Sequence, residues 1–314
     1  MKRKKRKVKR FRLVISLFLI AVLSYIVYHM SSFITEAEDI KTVLLNEEPF
    51  SYLANQVTSK NAMLVDEETR EVLFRKRSDE QIYPASMTKM MTVYVALLAI
   101  KDLNQKVIIP AAIIDELEQE GASMAGFYPM EEVSYRDLIY GALLPSGADA
   151  SVTLAVSIAG SEEAFVEMMN KKAKELGMKN THFVNVTGLH DDAHISTVAD
   201  MEKLLNQALQ NDIFYQIFTT NAYQTQPDKY FLDGLSLYST LQTTLDYNNL
   251  QNPYILGAKT GYTPEAGLCM ASLAEVNQHR YLFVSAQASG DHTTQPYHVL
   301  DALHVYQELA NQYK

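Results

Sequence analysis

The sequence predicts an α/β fold in which one antiparallel sheet is flanked by helices and a helical lobe is inserted between its strands. Strand-like runs lie near both ends of the main body, at 62–66 and 71–77 and again at 267–276 and 280–288, so both ends must build the same sheet. Between them the segments are mostly helical in pattern, and one of them, 90–100, is apolar on nearly every side, as a helix at the centre of a domain must be. With 47% hydrophobic and 21% charged residues over 314 positions, the composition is that of a globular protein.

Charge is divided sharply along the chain. Residues 1–12 hold nine of the 28 lysines and arginines and no acid, leaving 19 basic against 37 acidic residues for the remainder. An acidic body argues against nucleic-acid binding. The basic block instead introduces residues 13–30, eighteen positions without a formal charge, which at about 1.5 Å per residue span about 27 Å and read as a transmembrane anchor. The positive flank places 1–12 in the cytoplasm and the acidic body outside the cell. A cleavable signal peptide is the competing reading, but no small-residue cleavage site follows the apolar run. Residues 31–59 read as a stem and 60–314 as the main folded domain. Its single cysteine, Cys269, excludes an intrachain disulfide, so stability rests on the core.

Within the body, 62–66 and 71–77 are joined by the polar stretch 67–70, a hairpin signal. Pro84, Ala85 and Ser86 start the central helix, and a short apolar piece at 107–109 precedes Pro110. Helical patterns follow at 135–144, 150–159 and 162–176, the last ended by Gly177. The run 255–262 is strand-like, 267–276 and 280–288 pair as strands, and 295–311 closes the chain as a helix.

Three places carry chemistry. Ser86 and Lys89 are three apart at a helix start, so the amine shares a face with the hydroxyl, and the Ser86 N–H belongs to the turn whose donors have no partner within the helix. That spacing alone arises about once in a chain of this length by chance; its companions decide. Residues 145–149, Pro-Ser-Gly-Ala-Asp, form a sharp polar turn able to push Ser146 into a cleft. In the run 255–262, Lys259 and Thr260 lie between Gly257 and Gly261, an arrangement that lets an extended peptide approach a strand edge and meet a cation and a hydroxyl.

Ser-Met-Thr-Lys at 86–89, Ser-Gly-Ala at 146–148 and Lys-Thr-Gly at 259–261, in that order, resemble the three motifs of the serine penicillin-recognising enzymes. The surrounding words, among them Asn61-Ala-Met-Leu-Val-Asp66, Thr181-His-Phe-Val-Asn185, Gly188-Leu189 and Lys259-Thr-Gly-Tyr-Thr-Pro-Glu-Ala-Gly267, make the chain similar to the low-molecular-mass penicillin-binding proteins that are serine-type D-alanyl-D-alanine carboxypeptidases. The resemblance covers about residues 60–290 and does not extend to the C-terminal β-domain of many members.

It implies a serine β-lactamase or penicillin-binding-protein fold and an acyl-enzyme that removes the terminal D-alanine of peptidoglycan stem peptides, with β-lactams as acylating inhibitors and no metal or cofactor. Ser86 would be the nucleophile and Lys89 its base, the latter with a pKa lowered by burial and by Lys259. Ser146 would bridge the two amines and relay a proton. Lys259, Thr260, Gly261 and Tyr262 would bind the substrate, Lys259 and Thr260 at its carboxylate, with the Ser86 and Tyr262 N–H groups as oxyanion hole. Two departures stand out: the second motif usually ends in asparagine where this chain has Ala148, and residues 289–294 lack the arginine that assists carboxylate binding in some relatives.

Two other readings stay open: a class A-like β-lactamase, for which Glu167 and Asn170 superficially match a deacylating pair, and a catalytically weak peptidoglycan or β-lactam binder, suggested by Ala148. His190 and His194 have a zinc-like spacing, but they read better as a polar surface loop without the glutamate of a helical zinc motif. The aromatic residues of 214–247 read as packing between lobes before a substrate rim.

Overall fold

The structure, a computed structural model, describes Tyr25 and residues 48–312. The expected cytoplasmic tip and, apart from Tyr25, the expected anchor at 13–30 lie outside the described residues. Among the described residues no helix is long and apolar enough to cross a membrane.

The compact unit begins at Phe50, within the segment expected as a stem at 31–59. A 3-10 turn, Ser51–Asn55, follows, and Phe50, Leu53 and Val57 are buried in the same cluster as Phe74 and Tyr306. Three apolar side chains spaced by polar ones are enough to seat this segment on the sheet, a pattern too short to register as an element.

The hairpin forms as expected from β1 (Asn61–Asp66) and β2 (Val72–Lys76). Its turn is closed by the Asp66 carboxylate, which accepts the Glu68 and Thr69 N–H groups, and by Arg70 at φ 64°. A 3-10 turn, Ala85–Thr88, leads into α1 (Lys89–Ala99), which is buried from Lys89 to Ala96. Then come β3 (Lys106–Ile108), α2 (Ala111–Gln119) and β4 (Glu132–Ser134), with β3 and β4 paired. The helix α3 (Tyr135–Leu143) starts in a capping box between Ser134 and Asp137, α4 (Ala148–Ala159) ends at Gly160 with φ 87°, and α5 (Glu162–Glu175) is capped by Ser161. The helices α6 (Val198–Leu209) and α7 (Asp212–Phe218), the small hairpin of β5 (Ala222–Gln224) and β6 (Ser236–Tyr238), and α8 (Thr240–Tyr247) complete the lobe.

The chain returns to the sheet through β7 (Ile255–Thr263), β8 (Gly267–Val276) and β9 (His279–Ala288), and ends in α9 (Tyr297–Gln312). Asn277 and Gln278, at φ 52° and 68°, make the two-residue turn between β8 and β9, the geometry that matches strand twist. The sheet order is β2-β1-β9-β8-β7, antiparallel throughout, which joins both ends of the body as the sequence required.

Alternation along β1 shows how the sheet separates two cores. Met63 and Val65 join the cluster under α1 and the lobe, while Ala62 and Leu64 join the one under α9. One edge is β7, and next to that edge stands the turn that carries Ser86.

Candidate active site

The turn ahead of α1 is fixed from three sides. Ala85 is held at φ 46°, unfavourable for a residue with a Cβ, and leads into the half-buried Ser86. Behind it, a Cβ at Gly188 would sit 1.9 Å from the Ala85 carbonyl oxygen, so only glycine fits, at φ 83°. In front, a Cβ at Gly261 on β7 would lie 2.9 Å from the Ser86 nitrogen. The glycine of the Lys-Thr-Gly run therefore lets the strand edge come up against the Ser86 N–H.

Lys89 Nζ lies 3.1 Å from Ser86 Oγ and donates to the Thr187 carbonyl at 2.6 Å. Its side chain is 2% exposed, and burial lowers its pKa to about 7, with Asp149 pulling in the opposite direction. A lysine so tuned has a substantial free-base fraction at neutral pH, next to a hydroxyl. The Thr187 carbonyl is held by a loop that Asn185 ties together: its Oδ1 accepts the N–H groups of Thr187 and Gly188, and its amide donates to Leu189 O.

Ser146 sits between α3 and α4 at φ 67°. A side chain on the next residue, Gly147, would approach Ala125 Cβ, Asp149 Oδ1 and the Gly141 carbonyl within 2.6 to 2.7 Å. The buried Asp149 carboxylate accepts the N–H groups of Ala125, Gly126 and Phe127, pinning the neighbouring loop to the turn. Ala148, where an amide was expected, is buried and its N–H donates to Ser123 O at 2.7 Å.

Lys259 is fully buried and donates to Ser146 Oγ at 2.9 Å and to Thr260 O at 2.8 Å. Burial and the Lys89 amine drive its pKa well below that of an ordinary lysine. The expected bridge thus differs in detail: Ser146 is bonded to Lys259, whereas Lys89 is held by Ser86 and Thr187. Burial is the main cause of the lowering for both amines. Thr260 faces the cleft with its hydroxyl 2.8 Å from that of Thr240, at the start of α8.

These groups open into a cleft of about 760 Å³ that contains Ser86, Ser146, Thr260, Gly261 and Tyr262 in its lining. Its further wall comes from α8, the loop 291–296 and His298, with the His292 ring edge-on to Tyr262 at 4.7 Å.

Other residues singled out from sequence go elsewhere. Glu167 is exposed on α5, and Asn170 exchanges two hydrogen bonds with the Phe183 backbone, so neither is placed as a deacylating pair. His194 is not on a surface loop: it is 2% exposed, with one ring nitrogen 2.8 Å from Thr88 Oγ1 and the other accepting the Val184 N–H. Among the described residues no cluster is arranged to hold a metal ion. Of the aromatic stretch, Phe214 and Phe218 pack in the core while Tyr238 and Tyr247 line the cleft, so both readings apply to different residues.

The sequence profile of the D-alanyl-D-alanine carboxypeptidase peptidases matches residues 48–290. The chain belongs to this family. It is similar to the D-alanyl-D-alanine carboxypeptidase DacF of Bacillus subtilis, 36% identical over 233 residues covering 74% of this chain and 58% of DacF. To DacA of Escherichia coli it is 34% identical over 234 residues, 72% of this chain and 55% of DacA, so it spans little more than half the length of either carboxypeptidase. The solved structure of the Streptomyces K15 DD-transpeptidase superposes with a TM-score of 0.71 at 27% identity, covering 81% of this chain and 98% of that one. The D-alanyl-D-alanine carboxypeptidase of Mycobacterium tuberculosis gives 0.68 at 25% identity, over 80% and 91%. The expected α/β architecture, an antiparallel sheet with helices in the β-lactamase and penicillin-binding-protein fold, is therefore the family's own.

Proposed function

We propose that the protein is a serine D,D-carboxypeptidase that removes the terminal D-alanine of peptidoglycan stem peptides through an acyl-enzyme on Ser86. The observation that carries this is the 3.1 Å approach of Lys89 Nζ, with its lowered pKa, to Ser86 Oγ beside the β7 edge. The stem peptide lies along β7. Ser86 Oγ attacks the carbonyl of the penultimate D-alanine as Lys89 takes its proton, and the oxyanion is met by the N–H groups of Ser86 and Tyr262. Collapse breaks the C–N bond, and the leaving amine of D-alanine receives, by way of the Ser146 hydroxyl, the proton that Lys89 took. Water then attacks the ester as the free-base Lys89 takes its proton and returns it to Ser86 Oγ, giving the shortened peptide and free Ser86. Thr260 takes the terminal carboxylate directly. Lys259, buried behind Ser146, contributes its field and the orientation of that hydroxyl. The same ester, formed with a β-lactam, makes these drugs its acylating inhibitors.

No specific observation favours the β-lactamase reading, since Glu167 is exposed and Asn170 is engaged with Phe183. Incubation with a stem pentapeptide and, separately, a chromogenic β-lactam distinguishes the alternatives. The proposal expects steady release of one D-alanine per pentapeptide and only slow turnover of the β-lactam. Rapid β-lactam turnover without D-alanine release would make it a β-lactamase; acylation without turnover of either would leave a binder.

Residues 13–30 anchor this domain on the outer face of the cell membrane, a reading supported by the uncharged run behind nine basic residues. Protease added to intact protoplasts is expected to remove the domain while leaving the basic tip protected; a soluble mature form starting near residue 31 would contradict this.

A further inference from the structure

His194, which the sequence assigned to a polar surface loop, is buried close to the reacting groups, and its two ring nitrogens face different parts of the chain. Nδ1 lies 3.1 Å from the Val184 nitrogen and 3.4 Å from the Asn185 nitrogen. A backbone N–H can only donate, so Nδ1 is the acceptor and the proton of the neutral ring sits on Nε2. Nε2 therefore donates to Thr88 Oγ1 at 2.8 Å. Burial is the main cause that lowers the His194 pKa to about 4; Asp191 opposes the lowering, and His182, His190 and Lys89 assist it. The ring is thus neutral wherever Lys89 titrates.

Each of its two anchoring points leads directly to Lys89. Thr88 precedes Lys89 in the turn that carries Ser86. Val184 and Asn185 begin the loop whose Thr187 carbonyl accepts Lys89 Nζ at 2.6 Å and whose Gly188 packs on the Ala85 carbonyl. That loop is tied to α1 a second time, by Thr92 Oγ1 donating to the Val186 carbonyl at 2.8 Å. One neutral ring therefore joins the nucleophile turn to the loop that covers its lysine.

We propose that His194 is a positioning residue, whose ring fastens the Ser86–Lys89 turn to residues 184–188 and so holds the Lys89 amine against Ser86 Oγ and out of water. The inference rests on the carboxypeptidase reading, in which Lys89 is the base for Ser86. Without the ring, Thr88 and Val184 lose their shared partner, the loop is free to move off the amine, and water reaches it. A lysine less buried moves back toward its ordinary pKa. The charged groups that act with Lys89, Asp149 and Lys259, are untouched by a substitution at the neutral ring, so a shifted titration reports the access of water.

The test measures stopped-flow acylation of the full chain in detergent by a chromogenic β-lactam, from about pH 6 to about pH 9.5, for the wild type, His194→Leu, His194→Gln and Thr88→Val. His194→Leu is expected to move the midpoint of the profile up by about one pH unit. That slows acylation about 5-fold at pH 7 and leaves it within about 2-fold of wild type at about pH 9.5. His194→Gln, which again offers one acceptor and one donor, is expected to return the midpoint to within about 0.3 units of wild type. Thr88→Val removes the same hydrogen bond from the other side and is expected to shift the midpoint in the same direction; it decides the matter should His194→Leu fail to fold by thermal melt. An unchanged midpoint, with the rate either unaltered or slowed equally at every pH, would make the ring a purely structural one and overturn the proposal. A wild type that is not acylated at any pH would overturn the carboxypeptidase reading, and this inference with it.

Discussion

The Ser86 wall of the cleft withdraws two lysines from water, whereas the wall formed by α8 and residues 291–298 presents hydroxyls, imidazoles and one carboxylate, several of them exposed. On the first wall four backbone positions are tightly constrained: Ala85 and Ser146 are held at positive φ, and glycines at 188 and 261 admit contacts that a Cβ would forbid. On the second, α8 contributes Thr243, Thr244 and Tyr247 from a short helix packed through Leu241 and Leu245. The difference teaches a division of labour. Burial and rigidity set the proton affinity and position of the groups on the first wall, while the second presents hydroxyls, imidazole and carboxylate to the cleft.

The largest effect expected from breaking this comparison is at Lys89. Replacing it with alanine removes the base and is expected to lower the acylation rate constant by about 1,000-fold or more, read by stopped flow with a chromogenic β-lactam. Retention of more than about a tenth of the rate would mean that another group takes the Ser86 proton.

A pH profile sharpens the same point without mutation. Lys89 must be deprotonated to act, and its pKa is lowered to about 7. Acylation is therefore expected to rise with pH through 7 and level off above it, the fall on the acid side approaching about 10-fold per unit, or about 50-fold between pH 7 and pH 5. A rate still rising at pH 9 would show that burial does not tune this lysine.

Much of the first wall was legible in the sequence, because its constraints act on neighbouring residues. Ser86 and Lys89 share a turn, Gly261 follows Lys259 and Thr260 directly, and the hairpin strands carry the period of two that sorts Met63 from Leu64. The second wall was not legible. In α8, four of eight positions are threonine or aspartate, poor helix formers, and the threonines bond back to carbonyls, as Thr244 does to Thr240 O. Thr187 was missed for a different reason: it acts through its carbonyl, which leaves no pattern in residue type. The surface-loop reading of His194 failed likewise, because the ring is held by Thr88, which is distant in the chain, as well as by the Val184 N–H.

A smaller effect is expected behind the nucleophile. Gly188→Ala forces a Cβ against the Ala85 carbonyl at positive φ and is expected to destabilise the fold by about 1 to 3 kcal/mol and slow acylation about 10-fold. Gly121→Ala, also at positive φ but with nothing within 4 Å of the added Cβ, is the control away from the site and is expected to leave acylation unchanged. Equal thermal and kinetic effects in both variants would show that the Ser86 turn is not held by close packing.

The central claim, that Ser86 is the group acylated, is tested most directly by intact-mass analysis after reaction with a penicillin. The wild type is expected to carry one covalent adduct, lost completely in Ser86→Ala with the fold retained by thermal melt. An adduct of the same mass persisting in Ser86→Ala would contradict the account.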